Sequence, residues 1–108
     1  MKNISSLHND TIKFITGLIQ KTSLRKKSDV FVVEGKRELQ LAHEGGFIID
    51  KVFYCPALFK STFSKEWSLE NLGTNNIVLV TDTVYKKISY RKKTEGIIAL
   101  VKKKTFDL

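Results

Sequence analysis

The sequence predicts an α/β domain in which helices cover both faces of one sheet. Two observations carry this. Val30-Phe31-Val32-Val33, Ile77-Val78-Leu79-Val80 and Ile97 to Val101 are short apolar runs rich in β-branched residues, the composition of buried strands. Between and before them lie stretches with helical spacing, of which Ile12, Ile15, Leu18 and Ile19 is the clearest. Strands alternating with helices make a layered α/β sheet.

Each element follows in order. Residues 1–8 read as a loose N-terminus. Asn9 or Asp10 caps the first helix, because a short polar side chain accepts from the free N–H groups of a first turn. That helix ends near Lys21 to Ser23, with Gly17 as its weak point. A strand runs from Asp29 to Val33, and a helix from Lys36 to Glu44 with Leu39 and Ala42 inward. Gly45-Gly46 stops it. Phe47 to Tyr54 is the next strand, interrupted at Asp50-Lys51. Leu58, Phe59, Phe63, Trp67, Leu69 and Leu72 suit one or two short helices, and Gly73 to Asn76 is a turn. After the Ile77 strand, Asp82 caps a short helix containing Val84, Tyr85 and Ile88. Ser89 to Thr94 is a basic loop, Ile97 to Val101 the last strand, and Lys102 to Leu108 a departing tail.

The chain has 108 residues, the size of one domain, and is 42% hydrophobic, enough for one core. Its net charge of +8 and pI of about 9.7 favour polyanionic partners. A single cysteine, Cys55, excludes an internal disulfide or a cysteine-rich zinc site and suits a reducing compartment. No apolar run follows the first lysine as in a signal peptide, and none approaches the ~20 residues of a membrane span. The expectation is a cytoplasmic protein with no membrane partner. His8 and His43 have no ligands at metal spacing, so no metal is expected. Phe53, Tyr54, Phe59, Phe63 and Trp67 read as core and helix-packing residues rather than a stacking platform. Paired carboxylates, a Ser-His-Asp ordering and nucleotide-type glycine loops are missing from the sequence.

Three basic segments are candidates for RNA contact. The first is Gly35-Lys36-Arg37, where a glycine at a strand-to-helix turn admits positive φ and the following N–H groups open a helix. Such an end accepts phosphate, and Arg37 can grip one in two-pronged fashion. The second is Tyr90-Arg91-Lys92-Lys93, an aromatic ring among three cations, suited to base stacking and backbone contact. The third is Arg25-Lys26-Lys27, before the first strand. Glu34 and Gly96 read as turn and cap residues.

The ordered set Arg25-Lys26-Lys27, Val33-Glu34-Gly35, Tyr90 to Lys93 and Glu95-Gly96-Ile97-Ile98-Ala99-Leu100 resembles the N-terminal substrate-binding domain of the SpoU (TrmH-type) RNA ribose methyltransferases. The resemblance spans about Ile12 to Val101. It implies a three-layer α/β/α sandwich with a small mixed sheet, similar to the ribosomal kink-turn-binding proteins. Arg37 stands where those relatives carry asparagine, which weighs against kink-turn recognition. In that mixed sheet the last strand is expected to run antiparallel to the first, which would place Gly35 and Lys92 at the same end and Arg25 to Lys27 toward the other.

The resemblance further implies a single RNA substrate-binding domain, with residues 102–108 beginning a linker to a catalytic domain beyond this chain. That domain would bind S-adenosylmethionine, transfer its methyl group to a ribose 2′-hydroxyl of ribosomal or transfer RNA, and form the parent homodimer. The fragment itself would hold no cofactor, catalyse nothing and be monomeric. A stand-alone RNA-binding protein of the ribosomal sandwich type, and a module whose basic face meets an acidic protein, are the alternatives.

Overall fold

The computed structural model describes residues 2–58, 76–89 and 96–104. Its elements are β1 (Lys2–Ile4), α1 (Asp10–Gln20), α2 (Thr22–Lys27), β2 (Val30–Glu34), α3 (Lys36–Glu44), β3 (Ile49–Tyr54), β4 (Ile77–Val80), α4 (Asp82–Ile88) and β5 (Ile97–Lys102). The strands form one sheet in the order β1-β4-β3-β5-β2. β1, β3 and β4 run parallel, while β5 is antiparallel to both β3 and β2. The sheet is therefore mixed, and β5 alone runs against the rest.

The two faces of the sheet carry separate cores, which makes three layers. On one, Ile12, Ile15 and Leu18 of α1 and Val84, Tyr85 and Ile88 of α4 pack on Val30, Phe53, Val78, Val80, Ile98 and Leu100. On the other, Leu39 of α3 packs on Ile49, Val52, Ile97, Ala99 and Val101. Successive β5 side chains go to opposite faces, so a strand buried on both reads as an unbroken apolar run. Phe31 and Phe47 meet edge to face at 5.6 Å between ring centres, closing the second core near α3.

Most expected elements stand close to where the pattern put them. The irregularity expected at Asp50-Lys51 is a register shift between Ile49 and Lys51 against β5. Three expectations need correction. The N-terminus is not loose throughout, because Lys2–Ile4 pairs parallel with β4 as an edge strand. Three residues are too short to show a period, and this strand exists because β4 offers it a free edge. The cap of α4 is Thr81, whose hydroxyl accepts from the Val84 N–H at 3.3 Å, and Asp82 is the first helical residue.

Helical structure is expected to end near Lys21 to Ser23, but the basic segment before β2 forms a second helix, α2. Gly17 admits it, since a Cβ there would lie 2.8 Å from the Leu24 side chain. The Arg25 guanidinium then donates to the Leu18 and Ile19 carbonyls at the end of α1, at 3.0 and 2.7 Å. Those carbonyls would otherwise lack helical partners. The aromatic and apolar stretch between Phe59 and Leu72, the turn from Gly73, and the tail from Thr105 lie outside the described residues. Of the five aromatics read as packing residues, Phe53 is fully buried and Tyr54 half-buried against the second core.

Candidate nucleic-acid interface

The site is built on the turn after β2. Gly35 has φ 109° and ψ 146°, a conformation essentially confined to glycine, and its carbonyl accepts from Leu39 as α3 begins. Its N–H donates to the Ile97 carbonyl at 3.0 Å, fixing the turn against the start of β5. Gly96, immediately before that strand, has φ 84°, and its carbonyl accepts from Cys55 at 2.8 Å. The end of β2, the end of β3 and the start of β5 are thus bonded side by side at one end of the sheet. Lys36 is half-buried on the first turn of α3, and Arg37 is exposed.

Beneath this rim lies Glu34, the one charged residue in the described core, 1% exposed. Its Oε2 accepts from the Tyr85 hydroxyl at 2.8 Å and from the Ser89 hydroxyl at 2.6 Å. The Tyr85 oxygen also lies 3.2 Å from the Ile97 carbonyl. A buried carboxylate without donors would cost several kcal/mol, so these hydroxyls are what lets Glu34 sit here. Burial, then the hydrogen bond to Glu34 and its nearby charge, push the Tyr85 phenol well above its ordinary range. Tyr85 therefore stays a donor. Ser89 closes α4 and immediately precedes the basic segment that starts at Tyr90, so Glu34 ties the base of that segment to the Gly35 turn.

The expected site residues fall into three groups. Glu34, Gly35, Lys36, Arg37 and Gly96 gather at one sheet end. Tyr90, Arg91, Lys92 and Lys93 lie outside the described residues, yet the positions flanking them, Ser89 and Gly96, stand at that same end. Arg25, Lys26 and Lys27 lie at the opposite end of β2, beside the C-terminus of β5, where Lys103 Nζ donates to the Arg25 carbonyl at 2.7 Å. Sequence reading missed Tyr85 and Ser89. The available signal was indirect: a tyrosine on the apolar face of α4 needs a partner for its hydroxyl, and a glutamate closing a buried strand needs donors.

Among the described residues no group of three His, Cys, Asp or Glu could hold a metal ion, and no helix is long and apolar enough to cross a membrane. His8 and His43 are exposed.

This arrangement defines an α/β domain with a glycine-built rim at one sheet end, and comparison gives the family. Residues 9–99 match the MRM3-like substrate binding domain, and the chain belongs to that family. The fold matches a crystal structure of an RNA 2′-O ribose methyltransferase with a TM-score of 0.70 and 26% identity, over 93% of this chain and 37% of that one. An rRNA methyltransferase from Sinorhizobium meliloti matches at 0.71 and 21% identity, over 95% and 37%. The SpoU methyltransferase AviRb from Streptomyces viridochromogenes, in complex with AdoMet, matches at 0.67 and 21%, over 94% and 38%. No curated protein matches. The chain spans little more than a third of these solved relatives.

Proposed function

We propose that this chain is the RNA substrate-binding part of a SpoU-type RNA 2′-O-ribose methyltransferase, positioning a ribose for a catalytic domain carried on further polypeptide. The observation that supports it is the shared rim. The Gly35–Ile97 hydrogen bond and the Glu34–Ser89 hydrogen bond bring the anchor points of two basic segments together at one end of the sheet. Lys36, Arg37 and the cations from Arg91 to Lys93 are the groups assigned to phosphates, and Tyr90 is assigned to a base. Gly35 lets the nucleic-acid backbone approach the first turn of α3, where the helix dipole favours an anion.

The work of this part is positional. Cations neutralise phosphates, and the turn fixes where the backbone rests, so that a target ribose is held still while another domain acts on it. S-adenosylmethionine would supply the methyl group in that other domain, and no residue here is assigned to it. Arg25 spends its guanidinium on the end of α1, so the reading does not draw on the Arg25 to Lys27 segment. The parent is proposed as a homodimer through the catalytic domain, and the protein as cytoplasmic.

Titration of a labelled rRNA hairpin by fluorescence anisotropy tests this. Binding should weaken with salt by a log–log slope of about 0.7 to 0.9 per phosphate contacted. It should also fall for Lys36→Glu combined with Arg37→Glu. Salt-independent binding, or an affinity unmoved by the double reversal, would overturn the reading.

A further inference from the structure

The other side of the molecule offers a surface unrelated to that rim. Among the described residues β2 is the last strand of the sheet, and no strand pairs with its outer edge. The bonds from the Lys103 N–H to the Asp29 carbonyl and from the Gly35 N–H to the Ile97 carbonyl fix which of its residues face β5. In an antiparallel ladder bonded residues alternate, so Phe31 and Val33 bond inward while Val30 and Val32 aim their backbone groups outward. The Val30 N–H is taken by the Ser28 hydroxyl at 3.1 Å. The Val30 carbonyl and both backbone groups of Val32 have no hydrogen-bond partner among the described residues.

Natural edges are blunted by shortness, charge, proline or bulges. β1, the opposite edge, has three residues; β2 has five, and Val30-Phe31-Val32-Val33 contains none of these devices. Beside this open ladder runs a groove of about 470 Å³, lined by Leu18 and Ile19 of α1 and by Val30 and Val32, with Arg25 and Lys103 on its rim. From Lys21 to Val33 the chain carries four cations and one acid, and Lys102, Lys103 and Lys104 follow on the adjoining strand end. Among the described residues, Arg25, Lys26, Lys27 and these three lysines form no ion pair.

We propose that β2 is a docking edge for an extended polypeptide segment, apolar at alternate positions and acidic at those between. Such a segment adds a strand through Val30 and Val32. It places every second side chain in the groove and turns the carboxylates between them to the opposite face of the sheet, the face on which Lys104 lies over the Phe47 ring. Backbone bonding supplies the affinity and the alternate pockets the selectivity. The charge around this edge selects an acidic partner strand and disfavours a second copy of this basic chain.

The test uses a short synthetic peptide alternating valine with glutamate, added to the 108-residue chain, with amide exchange read by NMR. The Val32 amide should slow by about tenfold or more at saturation, while Phe31 and Val33, already bonded to β5, change little. A peptide alternating valine with lysine should not bind. Val32→Pro removes only the outward N–H, a change edge strands tolerate, and should abolish binding with the fold intact by circular dichroism. If that variant unfolds, exchange in the unsubstituted chain decides alone. An unchanged Val32 amide overturns the proposal. So does slowing that appears with protein concentration before peptide is added, which would make the occupant a second copy. Equal slowing by an RNA oligonucleotide also overturns it, since the occupant would then be nucleic acid.

Discussion

Replacing Tyr85 by phenylalanine separates the buried network from the packing around it. The ring is fully buried and would stay in place, so the change removes one hydroxyl. What is lost is a 2.8 Å hydrogen bond to Glu34 and the approach to the Ile97 carbonyl, while Ser89 keeps its bond at 2.6 Å. Hydrogen bonds to a charged group contribute about 1.5–3 kcal/mol each, and ~2 kcal/mol is the expected loss. For a domain of this size that lowers the melting temperature by roughly 10 °C.

The pH dependence gives a second readout. The folded phenol titrates far above the unfolded one, which loses its proton near pH 10. Above that point the unfolded chain has released a proton that the native state retains, so stability falls by about 1.4 kcal/mol per pH unit. Below it, the contribution is fully present. Chemical denaturation of Tyr85→Phe across pH 9 to 11 should therefore show a shallower alkaline decline than the parent chain. Identical alkaline slopes, or an unchanged melting temperature, would refute the network as described.

Gly35→Ala should cost about 1–3 kcal/mol, because φ 109° suits glycine alone, and should weaken RNA binding beyond that loss by shifting the start of α3; thermal melts and anisotropy titrations check both. Ser89→Ala should leave Tyr85 bonded to Glu34, lower stability by about 1–2 kcal/mol and raise amide exchange at the end of α4. Arg25→Ala should destabilise by about 1 kcal/mol through the exposed carbonyls of α1 and leave affinity for an rRNA hairpin within about twofold.

How much of this was legible in the sequence depends on range. Strands β2, β4 and β5 and helix α3 were readable because their apolar residues repeat within a few positions. The turn at Gly35 was readable because one residue type serves that backbone. β1 was not, since its three residues are held only by β4, some seventy positions later in the chain. α2 was hidden because its anchors, Gly17 and the carbonyls of α1, belong to another element. The shared rim needed the direction of β5, which no local period encodes; it came from family likeness and stands in the antiparallel pairing with β2. The Glu34–Tyr85 bond spans 51 positions, and sequence pattern offered only two polar groups in need of partners.

The most direct test of the account is an NMR titration of the chain with an unlabelled rRNA hairpin at low salt. The account predicts that the earliest and largest amide shifts fall at Gly35, Lys36, Arg37, Ser89 and Gly96, and that they vanish for the Lys36→Glu, Arg37→Glu double variant. Shifts confined to Lys26, Lys27 and Lys103, at the far end of the sheet, would contradict it.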